Sequence, residues 1–438
     1  MKMKVSIKET TIIKPAKETP QKNLWNSDLD LLVPRIHIPT VYFYKQQPNS
    51  TSNFFEAKVL KDALSEVLVP FYPLAGRLDK DENGRIQINC NGNGALFMEA
   101  ETSSVLDDFG DFTPGPHSLQ LVPVFDYSLD HNMSSYPLLA VQLTRFKCGS
   151  VCLGVSLHHT VADGTSAIYF MNSWSDIARG ISIAVPPFID RTLLDARVPP
   201  TPIFHHTEYS PPPVMKNASI QIHEAMPTCT EILKITYDQL TTLKSKFKNN
   251  ESGISYSTYE ILTAHIWYCM CKARELDDDQ ETKLYIATDG RFRLIPPLPP
   301  GYFGNVLFTT TVLSSSGEIE SRPLVETMEK IHKSLRKMDD GYLRSALDYL
   351  KKQSDLTVLM RGANTFKCPN LNIVSWVRLP IHDADFGWGR PVYMGPAKVV
   401  FEGMAYIMPS ANNDKNLSLI ICLHTNHMES FHKFFYDF

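Results

Sequence analysis

The run Val151-Cys152-Leu153-Gly154-Val155-Ser156-Leu157, followed at once by His158-His159-Thr160-Val161-Ala162-Asp163-Gly164, decides how this chain is read. Val151, Leu153, Val155 and Leu157 alternate as one face of a half-buried strand does. From Thr165 to Arg179, Ala167, Phe170, Trp174 and Ile177 recur at helical spacing, and Gly180 is a natural stop. The seven residues between form a strand-to-helix turn with a histidine at its mouth. A histidine leaving a strand end is well placed to meet a small molecule as general base. The spacing His-x-x-x-Asp-Gly is short and arises by chance, so alone it reads first as a core histidine in an ordinary turn.

Length and composition bound the rest. At 438 residues the chain exceeds one ordinary core, and two domains are expected. It is 43% hydrophobic and 21% charged, within the globular range, and its formal charge of −4 excludes a strongly basic nucleic-acid surface. Met1-Lys2-Met3-Lys4 leads into an alternating, strand-like Val5-Ser6-Ile7-Lys8 rather than a signal peptide's apolar core. No apolar run approaches the roughly 20 residues that span a bilayer. Eight cysteines are scattered; Cys269-x-Cys271 on a helix is no zinc site, so no metal is expected and free thiols in a reducing cytosol are the economical reading.

Along the chain, strand and helix patterns alternate without a repeat. Phe54 to Leu68 reads as an amphipathic helix with Phe55, Val59, Leu60, Leu64, Val67 and Leu68 on one side. Tyr136–Lys147 and Val151–Leu157 read as a hairpin through Cys148-Gly149-Ser150. Val198 to Val214 is proline-rich, which favours an extended connection over a helix or central strand. The expected division is therefore 1–197, a crossover at 198–225, and 226–438, with a helix opening near Ser257-Thr258-Tyr259-Glu260.

A second motif, Asp385-Phe386-Gly387-Trp388-Gly389-Arg390, sets two glycines around an indole, which implies a tight backbone path about a large flat ring. On its residues alone it is an aromatic-anchored loop that organises the fold. Together with His159-x-x-x-Asp163-Gly164 it resembles the signature pair of the plant BAHD acyl-CoA-dependent acyltransferases. The resemblance extends through Tyr72-Pro73-Leu74-Ala75-Gly76-Arg77, Pro297 to Asn305, and Phe434-Phe435-Tyr436-Asp437-Phe438. Asn23-Leu24-Trp25-Asn26-Ser27, Asp107 to Phe112, Tyr342 to Tyr349 and Ile381-His382-Asp383-Ala384 resemble the hydroxycinnamoyl-CoA shikimate/quinate hydroxycinnamoyltransferases in particular.

That resemblance implies an α/β fold of two chloramphenicol-acetyltransferase-like domains with a solvent channel between them and the histidine at its midpoint. It implies an acyl-CoA co-substrate, no other cofactor, and a monomer in the cytoplasm. His159 is then the general base, with Asp385 beside it in the family's catalytic signature. Asp163, four residues on and past a turn, is expected to point away from substrate and pair with Arg291, supporting the turn together with Gly164. Trp376 is either an oxyanion donor through its indole N–H or a channel wall. Ser255, Tyr256, Ser257, Thr258, Asp289, Gly290, Arg291, Arg293, Ser375 and Arg378 fall in the segments that bind the CoA donor.

For the acceptor, Arg361 matches the arginine that grips a carboxylate in shikimate-using relatives, as a guanidinium can through two hydrogen bonds. Ile38, Thr40, Tyr42 and Val374 occupy the remaining acceptor positions. Ile38 stands where shikimate users carry threonine. Val374 stands where they carry threonine and quinate-preferring relatives asparagine. Both changes delete a hydroxyl or amide that could bond a polyol, which moves the expectation from shikimate towards a less hydroxylated acid, or quinate. No Gly-x-Ser-x-Gly elbow is present, so direct attack within a ternary complex is preferred to an acyl-enzyme. The competing readings are an amine acyltransferase, disfavoured because Arg361 repels a cation, and a silent CoA-ester-binding protein, disfavoured by the intact His159 and Asp163. A metallohydrolase reading lacks a third ligand.

Overall fold

In the computed structural model, which describes residues 3–47, 53–127, 133–216, 226–247, 253–412 and 414–437, two six-stranded mixed sheets each carry helices. The stretch 217–225 of the expected crossover and the closing Phe438 lie outside the described residues. The first sheet runs in the order Val5–Ile13, Ala95–Thr102, Leu139–Phe146, Val151–His158, His37–Tyr44 and Tyr393–Pro396. The second runs Leu307–Ser315, Glu281–Asp289, Leu371–Ser375, Met404–Pro409, Leu417–His424 and Thr228–Ile235. A three-stranded sheet, Lys22–Trp25, Ile86–Cys90 and Arg77–Lys80, flanks them. The fold is the two-domain α/β architecture expected.

The division by sequence number does not describe the sheets. Tyr393–Pro396, deep in the second half, pairs antiparallel with Thr40–Phe43 and forms an edge of the first sheet. The Asp385–Gly389 motif goes with it: Phe386 meets Trp174 edge-on at 4.9 Å, and Trp388 lies 4.9 Å from Phe55. Those aromatics belong to the core of the first sheet. The proline-rich connection is extended, with one 3-10 turn at Thr207–Tyr209. Lys283 Nζ ties it to the second sheet by donating to the carbonyls of Thr207 and Ser210 at 2.6 and 3.0 Å.

Local readings differ in two places. The amphipathic helix opens at Ala57, not Phe54, because Phe55 takes a positive φ of 50° that breaks helical geometry and drops its ring 4.3 Å from Tyr44. The strand Val151–His158 is buried along its whole length rather than on one face. Val151, Leu153, Val155 and Leu157 join the core shared with the helices. On the opposite face, Cys152 packs beside Leu121 and Val122, and Ser156 Oγ donates to Pro123 O at 2.6 Å. The segment around Leu121 runs so close over this strand that only a glycine fits beneath it.

At Gly154 a Cβ would lie 1.9 Å from the Leu121 carbonyl oxygen and 2.8 Å from its carbon. Backbone cannot yield as a flexible side chain does, so Gly154→Ala is expected to destabilise the fold by about 1–3 kcal/mol. Thermal unfolding checks this, and an unchanged melting temperature would mean the covering segment moves freely.

Candidate active site

The histidine strand ends at His158, and His159 is the first residue beyond it. Its N–H donates to Ile36 O at 3.0 Å, which ties the strand end to its neighbour. The chain then turns through Thr160–Ala162 to Asp163, the N-cap of the helix Gly164–Ala178, whose side chain accepts from Ser166 N at 2.9 Å. A small polar N-cap in extended geometry satisfies an amide that the helix leaves open.

Asp163 does not orient the histidine ring through its carboxylate. That group is fully buried and engaged with Arg291, which donates Nη1 to Oδ2 and Nη2 to Oδ1, both at 2.9 Å. Val306 N also donates to Oδ2 at 2.9 Å. Arg291 further reaches Ser166 Oγ at 2.9 Å, Gly304 O at 3.1 Å and both Asp289 oxygens at 3.2 Å. Burial alone would raise the Asp163 pKa, but the guanidinium and the amides hold it below the ordinary carboxylate value. Burial opposes the Arg291 charge, and the two aspartates more than compensate, raising its pKa.

Between the two sheets lies a cavity of about 190 Å3. It is lined from the first sheet by Ile38, Thr40, Tyr42, Val155 and Leu157, and from the second by Tyr285, Ala287, Asn372, Val374 and Tyr406. His159, Trp376 and Arg361 line it too. His159 Nδ1 is buried and makes no well-formed hydrogen bond, so Nε2 is the nitrogen left for a ligand. Burial lowers the His159 pKa below 6.5, opposed by backbone groups of the turn and by the charges of Asp163 and Asp30. The ring is thus neutral at pH 7, as a base must be.

Across the cavity, Arg361 meets no carboxylate at ion-pairing distance among the described residues. Burial lowers its pKa, countered by Tyr209, Glu208 and Tyr285. Both Glu208 oxygens are taken, by His206 at 2.8 Å and Tyr342 at 2.6 Å. A desolvated guanidinium without a partner is a receptor for an anion. Thr40 Oγ1 donates to Val155 O at 3.3 Å, and Ile38 and Val374 offer only carbon. Trp376 stacks edge-on to Tyr406 at 5.3 Å.

Gly164 has no positive φ, so the turn does not require glycine there; a Cβ would point at Leu379 Cδ1, 3.6 Å away, and at Trp376 Nε1, 4.0 Å away. Both are ordinary contact distances, so neither the backbone nor the space requires glycine at this position.

The remaining positions lie apart from the cavity. Asp385 Oδ1 accepts from the amides of Gly387 and Gly389 at 2.8 and 2.9 Å, and both glycines have φ near +100°. Its carboxylate closes its own loop, and it is not among the residues that line the cavity. Ser257 caps the helix Thr258–Arg274 in a capping box with Glu260, with Ser255 exposed and Tyr256 buried beside it. Gly290 is closed in by Phe308, 2.6 Å from where its Cβ would stand. Arg293 donates to Leu335 O and Met338 O, while Ser375 and Arg378 are exposed on either side of Trp376.

A buried cluster that carries no expected role stands behind the turn. Asp30, Arg191 and Asn305 are at most 1% exposed. Arg191 donates to Thr160 O at 3.3 Å and Val161 O at 2.6 Å, and pairs with Asp30 at 3.3 Å. Asn26, Ser27 and Asn305 sit in quoted motifs, and Ser27-x-x-Asp30 is a capping box; nothing local marks Arg191.

A sequence model of the Transferase family matches residues 3–438. The chain is 57% identical over 439 residues, all of both chains, to a shikimate O-hydroxycinnamoyltransferase of Nicotiana tabacum. It is 51% identical over 447 residues, 99% of this chain and 100% of the relative, to a hydroxycinnamoyl-CoA:5-hydroxyanthranilate N-hydroxycinnamoyltransferase of Avena sativa. The fold superposes on the crystal structure of vinorine synthase with a TM-score of 0.76 at 23% identity, covering 98% of this chain and 96% of that one.

Asp163→Asn breaks a buried ion pair and leaves Arg291 undercompensated, at a cost of about 3–5 kcal/mol. The melting temperature is expected to fall, with activity declining as a consequence. An unchanged melting curve with activity lost would give Asp163 a direct chemical role. Because the folded pKa of Asp163 is depressed, its stabilisation is complete above the unfolded carboxyl pKa and disappears as pH falls through the folded value.

Proposed function

The chain belongs to the Transferase family, the BAHD acyltransferases, and is an acyl-CoA-dependent acyltransferase; on that footing we propose that it moves a hydroxycinnamoyl group, p-coumaroyl or caffeoyl, from CoA to the hydroxyl of a carboxylate-bearing acceptor. The observation that carries this reading is one cavity lined by a neutral histidine, an indole and an arginine that has no anionic partner among the described residues. Acyl-CoA serves as co-substrate, with no further cofactor, and the enzyme acts as a monomer in the cytosol.

An alcohol is a weak nucleophile at neutral pH. His159 Nε2 takes its proton as the oxygen attacks the thioester carbon, and the imidazolium returns that proton to the departing CoA thiolate. The tetrahedral intermediate concentrates charge on one oxygen, and the Trp376 indole N–H beside Gly164 is the donor available to it. Arg361 holds the acceptor carboxylate and so orients the hydroxyl towards His159. CoA approaches along Ser255–Thr258, Asp289–Arg293 and Ser375–Arg378. Ile38 and Val374 remove hydrogen-bond partners near the acceptor, which favours quinate or a less hydroxylated acid over shikimate.

The oat relative supports a second reading, N-acylation. Arg361 repels a polyamine, but an anthranilate carries a carboxylate beside an aryl amine that is neutral at pH 7. The arginine therefore selects an acid without choosing between oxygen and nitrogen. An acceptor panel with p-coumaroyl-CoA and caffeoyl-CoA decides by product mass: esters of a hydroxy acid are expected, and amides would transfer the case to N-acylation.

His159→Ala is expected to lower turnover by about 100-fold or more with CoA-ester binding retained; near-normal turnover would remove the base assignment. In the wild type, kcat/KM is expected to fall on acidification with an apparent pKa below 6.5, because the protonated ring cannot act as base. Arg361→Ala is expected to raise the acceptor KM far more than the donor KM, and equal effects on both would exclude the carboxylate clamp.

A further inference from the structure

Asn305 closes the Pro297–Asn305 segment and is fully buried. Its backbone N–H and its Nδ2 both donate to Asp30 Oδ1, at 2.9 and 3.0 Å. The same Nδ2 donates to the His159 carbonyl at 2.9 Å. An amide nitrogen carries two protons, so this one atom is fully used in bridging the two acceptors. The opposite amide orientation would turn Oδ1 towards a carboxylate and a carbonyl, three acceptors together, so the orientation is determined. Oδ1 itself is buried without a partner. A polar atom left unsatisfied in a core is a cost that the bridging nitrogen must outweigh.

The bridge continues on both sides. Asp30 also accepts from Ser27 N at 2.8 Å and Ser27 Oγ at 2.7 Å, and pairs with Arg191. Arg191 holds the next two carbonyls of the turn, those of Thr160 and Val161. Three consecutive peptide oxygens are therefore fixed from behind by a network centred on one carboxylate, and only the first belongs to the histidine.

We propose that Asn305 is a positioning residue for His159: by fixing the His159 peptide plane it keeps Nδ1 as the protonated, buried nitrogen and Nε2 as the lone pair aimed into the cavity. This rests on His159 being the base. Nδ1 is buried without a hydrogen-bond partner, and the backbone of His159 and Ala162 lies where it favours a proton on the ring. Freed from Asn305, that peptide can rotate, and the Nδ1 proton loses its fixed surroundings. The tautomer with hydrogen on Nε2 then becomes populated, and it presents a donor where the reaction needs an acceptor. The charged and titratable groups around the ring are His158 on its own strand, Asp163 on the turn and Asp30 on the helix Asp28–Leu32. None of these faces the ring with a hydrogen-bonded side-chain atom that could set the tautomer instead.

Carbethoxylation of His159 by diethyl pyrocarbonate, followed by peptide mass across the acid range, reads the nucleophilicity of Nε2 without any acceptor. Asn305→Ala is expected to slow it by about tenfold and to displace its pH midpoint, with binding of p-coumaroyl-CoA retained. A role confined to stability would lower the melting temperature and leave rate and midpoint unchanged in the folded fraction; that result overturns the proposal. Asn305→Leu, similar in shape and without donors, answers the same question should the alanine variant not fold. On the unaltered chain, imidazole nitrogen shifts give the tautomer directly: Nδ1–H is expected, and Nε2–H overturns the proposal. His159→Ala with thiol release undiminished relative to the wild type, measured with p-coumaroyl-CoA and the acid that the acceptor panel identifies, would instead remove the base assignment, so the two failures are distinguishable.

Discussion

Asp163 and Arg291 are a carboxylate and a guanidinium placed where neither could survive alone, and the site exists because they meet. Asp163 ends the turn that carries His159, on the first sheet's side. Arg291 follows the strand Glu281–Asp289 of the second. An isolated charge at such a depth would cost several kcal/mol. The cost is offset only when all the facing groups are in register: two parallel hydrogen bonds, the amides of Ser166 and Val306, and the flanking Asp289. The pair therefore works as a geometric criterion. Only a correct approach of the two sheets satisfies it, and that approach also brings His159, Trp376 and Arg361 around one cavity.

The histidine turn is held on two sides by different means. In front, the ion pair joins the halves through side chains. Behind, Asp30, Arg191 and Asn305 hold backbone oxygens. The three come from an N-terminal helix, a connecting segment and a loop of the second half, so the turn is fixed by parts of the chain far apart in sequence. Two groups face the ligand from this frame: a neutral imidazole nitrogen and, across the cavity, a guanidinium with no carboxylate partner among the described residues. Preorganised groups of this kind act without reorganising at the moment of reaction.

Much of this was legible in the sequence because it is local. The alternation of Val151–Leu157, the spacing of Ala167, Phe170, Trp174 and Ile177, and the Ser257-x-x-Glu260 capping box each express a periodicity or a short-range hydrogen bond. What was not legible depends on contacts far apart in the chain. The second buried face of the histidine strand is created by Leu121–Pro123, which no pattern within 151–157 announces. Phe55 leaves helical geometry for the sake of Tyr44 and Trp388. Arg191 has no motif around it, and its partners at positions 26, 30, 160 and 161 become neighbours only on folding. The Asp385 loop reads on its own residues as one that organises the fold, and the short-range bonds from Gly387 and Gly389 to its carboxylate are of the local kind that a sequence can express.

The strand Tyr393–Pro396 also has a consequence for synthesis. It supplies the partner along Thr40–Phe43, so the first sheet cannot complete that edge until nearly the whole chain has left the ribosome. In the interval, an apolar strand rich in tyrosine and phenylalanine presents an open row of backbone donors and acceptors, which is the surface through which nascent sheets join wrongly to one another. Pro39 interrupts that row near its beginning and removes one donor. The late-arriving strand thus makes the last stages of translation, rather than the first, the period in which this enzyme is most exposed to aggregation.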